Sequence, residues 1–145
     1  MTNRFDISEL YDYIRGKKGT YMLSFDISHL TPINSNYGSE AGDKVILEGL
    51  RRIDAECAEG MLMFRIGGDE FTLVTGLSDK AEVEKLAEKI LSRNGEPVNH
   101  NGVDIPVSLR AGAVLITGRP TYSELFVKLT AAPPLEPGKL VFIDE

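Results

Sequence analysis

The stretch Phe64-Arg65-Ile66-Gly67-Gly68-Asp69-Glu70-Phe71 decides how this chain is read, because it sets two adjacent carboxylates on a Gly-Gly turn between two apolar runs. Met61 to Ile66 and Phe71 to Val74 read as strands. A Gly-Gly pair between two such runs predicts a tight hairpin, with Asp69 and Glu70 at its exposed tip. Two carboxylates so placed suit a hard divalent cation, which takes oxygen ligands and leaves room for water and phosphate oxygens. They equally suit a solvated turn, and this stretch alone does not choose between the two.

Upstream, Thr20 to Ile27 is an aromatic and apolar run with Asp26 at its C-terminal end. A carboxylate there costs desolvation energy unless something pairs with it. A metal ion would supply that pairing, and a cap on the following turn is the other reading. Before this strand, Asp6-Ile7-Ser8-Glu9 has the spacing of a helix start, with Ile7, Leu10 and Ile14 recurring at helical intervals. After it, Ser28 to Gly42 holds Pro32, Asn34, Asn36, Gly38 and Gly42, so a loop with a short helix at most is expected. Helical order resumes at Asp43 and runs to about Ala58, with Ile46, Leu50, Ile53 and Cys57 as the buried stripe. Asp43 then stands near a helix N-terminus, where the dipole favours an acid.

Downstream, Ser78-Asp79 opens a helix with Val83, Leu86, Ala87 and Ile90 on one face, and Asn94-Gly95 closes it. Asn101-Gly102 predicts a second hairpin, joining Glu96–His100 to Val103–Leu109, and Arg110–Ile116 continues extended. Gly112 within that run suggests a kink or a close approach. Thr121-Tyr122-Ser123-Glu124 reads as a capping box, Pro133-Pro134 stops its helix, and Lys139–Ile143 is a last strand.

A length of 145 residues fits one domain with a real core, residues 1–145. No apolar run approaches the ~20 residues that span a bilayer, and the N-terminus lacks a signal-peptide profile, so a cytoplasmic domain without membrane contact is expected. The net charge of -6 argues against sequence-independent nucleic-acid binding, which relies on a basic surface. One cysteine, Cys57, excludes an internal disulfide. His29 and His100 have no cysteine or second histidine nearby in sequence, which argues against zinc.

Gly67-Gly68-Asp69-Glu70-Phe71 resembles the signature of the GGDEF family of diguanylate cyclase domains, which condense two GTP molecules to cyclic di-GMP. The resemblance extends to Phe25-Asp26-Ile27, to Ile33-Asn34 followed by Tyr37-Gly38 and Gly42-Asp43, and to Ser108-Leu109-Arg110-Ala111-Gly112 near the family's Thr-x-Ser-x-Gly strand. Gly138-Lys139 continues it, so nearly the whole chain is covered. It implies an α+β fold, a mixed, mainly antiparallel sheet flanked by helices and similar to the palm of nucleotide cyclases and polymerases. By the same resemblance Asp26, Asp69 and the carbonyl of Ile27 hold magnesium or manganese, and Glu70 assists metal binding or removes the 3'-hydroxyl proton. Asn34 and Asp43 read guanine, because a carboxylate that accepts from the guanine N1–H and amino group is left unpaired by adenine. Lys139, His29 and Leu30 take the phosphate positions. Each protomer binds one GTP, so a homodimer, at least a transient one, is implied, with an upstream sensor domain as a further partner.

Two departures weaken the implied phosphate grip. Thr31 stands where the family usually has a lysine, and Leu135 stands where a second is expected. Both an active cyclase and a degenerate GTP-binding or protein-interaction domain therefore remain open.

Overall fold

The computed structural model describes residues 4–117, 122–133 and 140–143. Among them the chain runs β1 (Arg4–Asp6), α1 (Ile7–Tyr13), β2 (Tyr21–Ile27), α2 (Leu30–Tyr37), α3 (Ser39–Glu56), β3 (Leu62–Arg65) and β4 (Glu70–Val74). It continues through α4 (Lys80–Leu91), β5 (Pro97–His100), β6 (Val103–Pro106), β7 (Leu109–Leu115), α5 (Tyr122–Ala131) and β8 (Leu140–Ile143). A six-stranded sheet has the order β1-β3-β4-β2-β7-β8, and β5-β6 form a separate ribbon. The β1–β3 and β7–β8 pairs are parallel and the others antiparallel, which makes the sheet mixed and mainly antiparallel as expected.

β2 sits at the centre because it is apolar on both faces. Tyr21, Leu23, Phe25 and Ile27 pack with Val45, Leu50 and Ile53 of α3 and with Val83, Ala87 and Ile90 of α4. Met22 packs on the other face with Leu10 of α1 and with Leu125 and Leu129 of α5. Alternating side chains thus serve two helical layers, the pattern of a strand buried on both sides. Ser24 is the polar exception, and its hydroxyl donates to the Leu129 carbonyl at 2.6 Å. Gly112 is a close approach, as its sequence context suggests: a Cβ there would fall against the Ala132 backbone, so the end of α5 lies directly on β7.

The segment expected to be mostly loop is helical. Pro32 is the third residue of α2, within the first turn, where backbone N–H groups have no intrahelical partner and proline is tolerated. Gly38, with φ 92°, is the joint to α3, which begins at Ser39 rather than Asp43. Asp43 therefore lies in the second turn of α3, and the dipole argument for an acid at that position loses most of its force. The buried face of α3 is also shifted from the expected stripe: Ala41, Val45, Gly49, Leu50 and Ile53 are buried while Ile46 is partly so. Gly49 is needed there, since a Cβ would come within 2.8 Å of Ile27 Cδ1 on β2. Strand β1 was not foreseen, because three residues carry no periodicity.

Arg52 is the largest departure from an apolar stripe. It is 1% exposed on the inner face of α3. Its Nε donates to Glu48 Oε2 at 3.0 Å, and its two terminal nitrogens donate to the carbonyls of Arg93 (3.0 Å), Val107 (2.8 Å) and Glu96 (2.6 Å). A guanidinium with this many acceptors is a satisfied buried ion, and truncating it strands the acceptors without donors. Arg52→Ala is expected to destabilise the domain by about 3–5 kcal/mol, read as a lower urea midpoint; a midpoint unchanged from wild type would show that the network contributes nothing.

Candidate functional site

The site is built by one register across three strands. Asp26 of β2 is paired directly with Glu70 of β4 on one side and with Arg110 of β7 on the other. Directly opposed residues share a face of the sheet, so Glu70, Asp26 and Arg110 form a transverse row near its end. The row lies two residues along each strand from Thr72, Ser24 and Gly112, on the side of the sheet that carries α1 and α5.

Arg110 takes the whole Asp26 carboxylate. Its Nε donates to Oδ1 at 2.7 Å and its Nη2 to Oδ2 at 2.9 Å, a two-pronged, partly buried ion pair. The chain thus supplies a cation of its own to Asp26, beside which the expected metal ion would have to bind. Burial pushes the Asp26 carboxyl above its ordinary value; Arg110 opposes that shift, and the charge of Asp69 adds to it. Glu70 is pushed up too, by burial first and then by the charges of Asp69 and Asp26. The three acids thus feel one another. Among the described residues, however, no three His, Cys, Asp or Glu side chains are gathered closely enough to chelate a metal ion as they stand.

The signature loop is a tight hairpin, as expected. Ile66 N and Gly67 N both donate to the Glu70 carbonyl, at 3.0 and 3.3 Å, leaving Gly67, Gly68 and Asp69 as the loop. Neither glycine has positive φ. A Cβ at Gly67 would lie 2.9 Å from Glu70 Oε1, so the glutamate folds back over the turn. Arg65 holds the loop from below, donating to the carbonyls of Gly67 (3.0 Å) and Gly68 (2.7 Å). Asp69 and Glu70 are half-buried rather than at a fully exposed tip.

Ile27 is buried at the end of β2 in register with Leu109, and Ser28 N donates to the Ser108 carbonyl at 2.9 Å. The Ser28 hydroxyl is buried with no hydrogen-bond partner among the described residues. His29 is exposed and left-handed, with φ 60°, and starts α2; Leu30 is partly buried against the core. Thr31 is exposed on the first turn of α2. Asn34 Oδ1 lies against Gly42, where any side chain would collide with it, so α2 and α3 meet closely at that point. Asn34 and Asp43 are both open to solvent, which departs from a deeply buried base-reading carboxylate. Leu135, Gly138 and Lys139 lie outside the described residues.

Arg110 and Arg52 are the residues that sequence reading missed. Each had a signal: a lone arginine inside an otherwise apolar strand, and an arginine four residues after a glutamate on an inward helical face.

The charge on this row has a thermodynamic consequence. Both acids hold protons more tightly folded than unfolded, so the stability they contribute is complete below about pH 4 and is lost as pH rises through their raised folded values. Removing one charge relieves the row only where it is ionised. In metal-free buffer Glu70→Gln is expected to raise Tm by about 1–3 °C at pH 7 and to give no gain at pH 4; an equal shift at both would assign the effect to something other than charge.

Comparison with known proteins gives the same picture throughout the chain. The family profile described as diguanylate cyclase, GGDEF domain, matches residues 5–130. The bifunctional diguanylate cyclase/cyclic di-GMP phosphodiesterase MucR of Pseudomonas aeruginosa is 30% identical over 120 residues, 82% of this chain and 18% of MucR. Diguanylate cyclase DosC of Escherichia coli is 31% identical over 106 residues, 72% of this chain and 23% of DosC. The chain thus spans about a fifth of the length of these relatives. In structure it is similar to the GGDEF domain of TpbB (YfiN) from P. aeruginosa, with a TM-score of 0.80, 23% identity, and coverage of 99% of this chain and 92% of that one. Diguanylate cyclase SiaD of the same organism, solved with its activator SiaC, also gives 0.80 at 23% identity, covering 95% of this chain and 58% of SiaD.

Proposed function

Because the chain belongs to the GGDEF family of diguanylate cyclase domains, we propose that it binds GTP with a divalent cation at the Asp26–Glu70 end of the sheet and condenses two GTP to cyclic di-GMP across a homodimer. The observation that carries this reading is the register that sets Asp26 opposite Glu70, with Asp69 on the adjoining loop. The donors Asp26, Asp69 and the Ile27 carbonyl are all oxygen, which fits magnesium or manganese in chemistry. These residues would hold the ion. When bound it neutralises charge on the phosphates, which is most of what phosphoryl transfer asks of a protein.

The chain's own groups divide the remaining work. Glu70, whose proton affinity is raised by burial and by its acidic neighbours, is suited to accept the 3'-hydroxyl proton as a general base. Asn34 and Asp43, from adjoining helices, take the guanine edge. Since both are open to water, a mismatched base is penalised only modestly, and GTP is expected to bind about tenfold more tightly than ATP, about 1.4 kcal/mol. Equal affinities by calorimetry, or an Asp43→Ala variant that keeps the preference, would remove the guanine assignment. The N-terminal turn of α2, from His29 and Leu30, faces the phosphates, and Lys139 adds a charge to them.

A second reading is favoured by two observations: Arg110 already holds Asp26, and Thr31 brings no charge to the phosphates. In it the domain binds GTP without turning it over and signals by occupancy. One experiment separates the two. Wild type, Thr31→Lys, and Thr31→Lys with Asp69→Asn are incubated with GTP and magnesium, and cyclic di-GMP is followed by chromatography. A cyclase gains about tenfold or more in rate from the added lysine, and the gain vanishes in the double variant. Tighter GTP binding with no product at any protein concentration would establish the binding module instead.

A further inference from the structure

The ion pair between Arg110 and Asp26 points to a device within the site. We propose that Arg110 is a resident cation, an internal competitor that a divalent metal must displace from Asp26 before metal and nucleotide are held there; this rests on the assignment of Asp26 as a metal ligand made above. Three observations carry it. First, the guanidinium engages both carboxylate oxygens, at 2.7 and 2.9 Å, so neither faces the acidic loop unpaired. Second, Arg110 is the direct cross-strand neighbour of Asp26, and its side chain is only 23% exposed, so the pair is set by the sheet and not by a chance surface meeting. Third, the other nearby guanidinium, that of Arg65, is engaged with the carbonyls of Gly67 and Gly68. Among the described residues, the acids Asp26, Asp69 and Glu70 are therefore offset by one guanidinium and retain an excess of negative charge.

A dication at Asp26 would sit beside a like charge, which disfavours both being bound at once. The excess acid still attracts the dication. The result is an exchange, in which Arg110 leaves the carboxylate as the metal arrives.

Two measurements test this. In the wild-type domain, the Nε–H signal of Arg110 is followed by nitrogen-15 NMR while magnesium and GTP are added. It is expected to lose its hydrogen-bonded shift as the nucleotide binds; binding with that signal unmoved overturns the proposal. In parallel, manganese alone is titrated by calorimetry into wild type, Arg110→Ser, and Arg110→Ser with Asp26→Asn. The single variant is expected to bind at least tenfold more tightly than wild type, and the double variant to lose the gain. Unchanged or weaker affinity in a folded Arg110→Ser protein overturns the competition while leaving the metal assignment standing. No metal or nucleotide binding in any of these proteins removes the assignment of Asp26 itself, and this inference with it.

Discussion

The arrangement of the acidic row depends on the double pairing of one strand. β2 is hydrogen-bonded to β4 along one edge and to β7 along the other, and a slip of one residue on either side would turn every side chain of the moved strand to the opposite face. Such a slip would send Asp26 away from Glu70 or from Arg110. It would also drive Phe25 and Leu23 out of the α3–α4 core. The chemistry of the row is thus locked by the same packing that stabilises the fold, and a substitution that loosens the core loosens the site.

That coupling explains which parts of the site were readable from sequence. Asn101-Gly102 was legible as a hairpin turn because its φ values, 51° and 85°, are ones that few other residue pairs adopt. The Asp79 cap, donated to by Ala81 N at 2.9 Å, and the Val83–Leu86–Ala87–Ile90 face were legible because capping and periodicity are local. Asp26, Asp69 and Glu70 stood out because acids interrupting apolar runs need a reason.

What was not legible came from longer range. Ser28–Gly42 looked like loop by composition, yet Pro32 falls within a first turn and Gly38 serves as a joint, so two helices pass through it. The partner of Asp26 is 84 residues away in sequence. Nothing near Asp26 encodes it; the register of β2 with β7 does. Likewise the Gly67-Gly68 pair read as a tight-turn signal, yet neither glycine has positive φ and the Glu70 side chain folds back against Gly67. A glycine's reason in sequence can be conformational or spatial, and only the folded contacts distinguish the two.

Arg52 bears on how this site can move. Through one guanidinium it joins the middle of α3 to the carbonyls of Arg93, Glu96 and Val107, the last only three residues before Arg110. The helix that carries Asp43 is riveted to the segment that leads into β7. A joint with this many bonds resists shear between α3 and the segment that leads into β7. Rearrangement around Asp26 is then left to side-chain rotation, which proceeds far faster than the microseconds to milliseconds of sliding helices or closing domains. On the proposed exchange at Asp26, the acidic row is a switch with a light moving part set in a stiff frame.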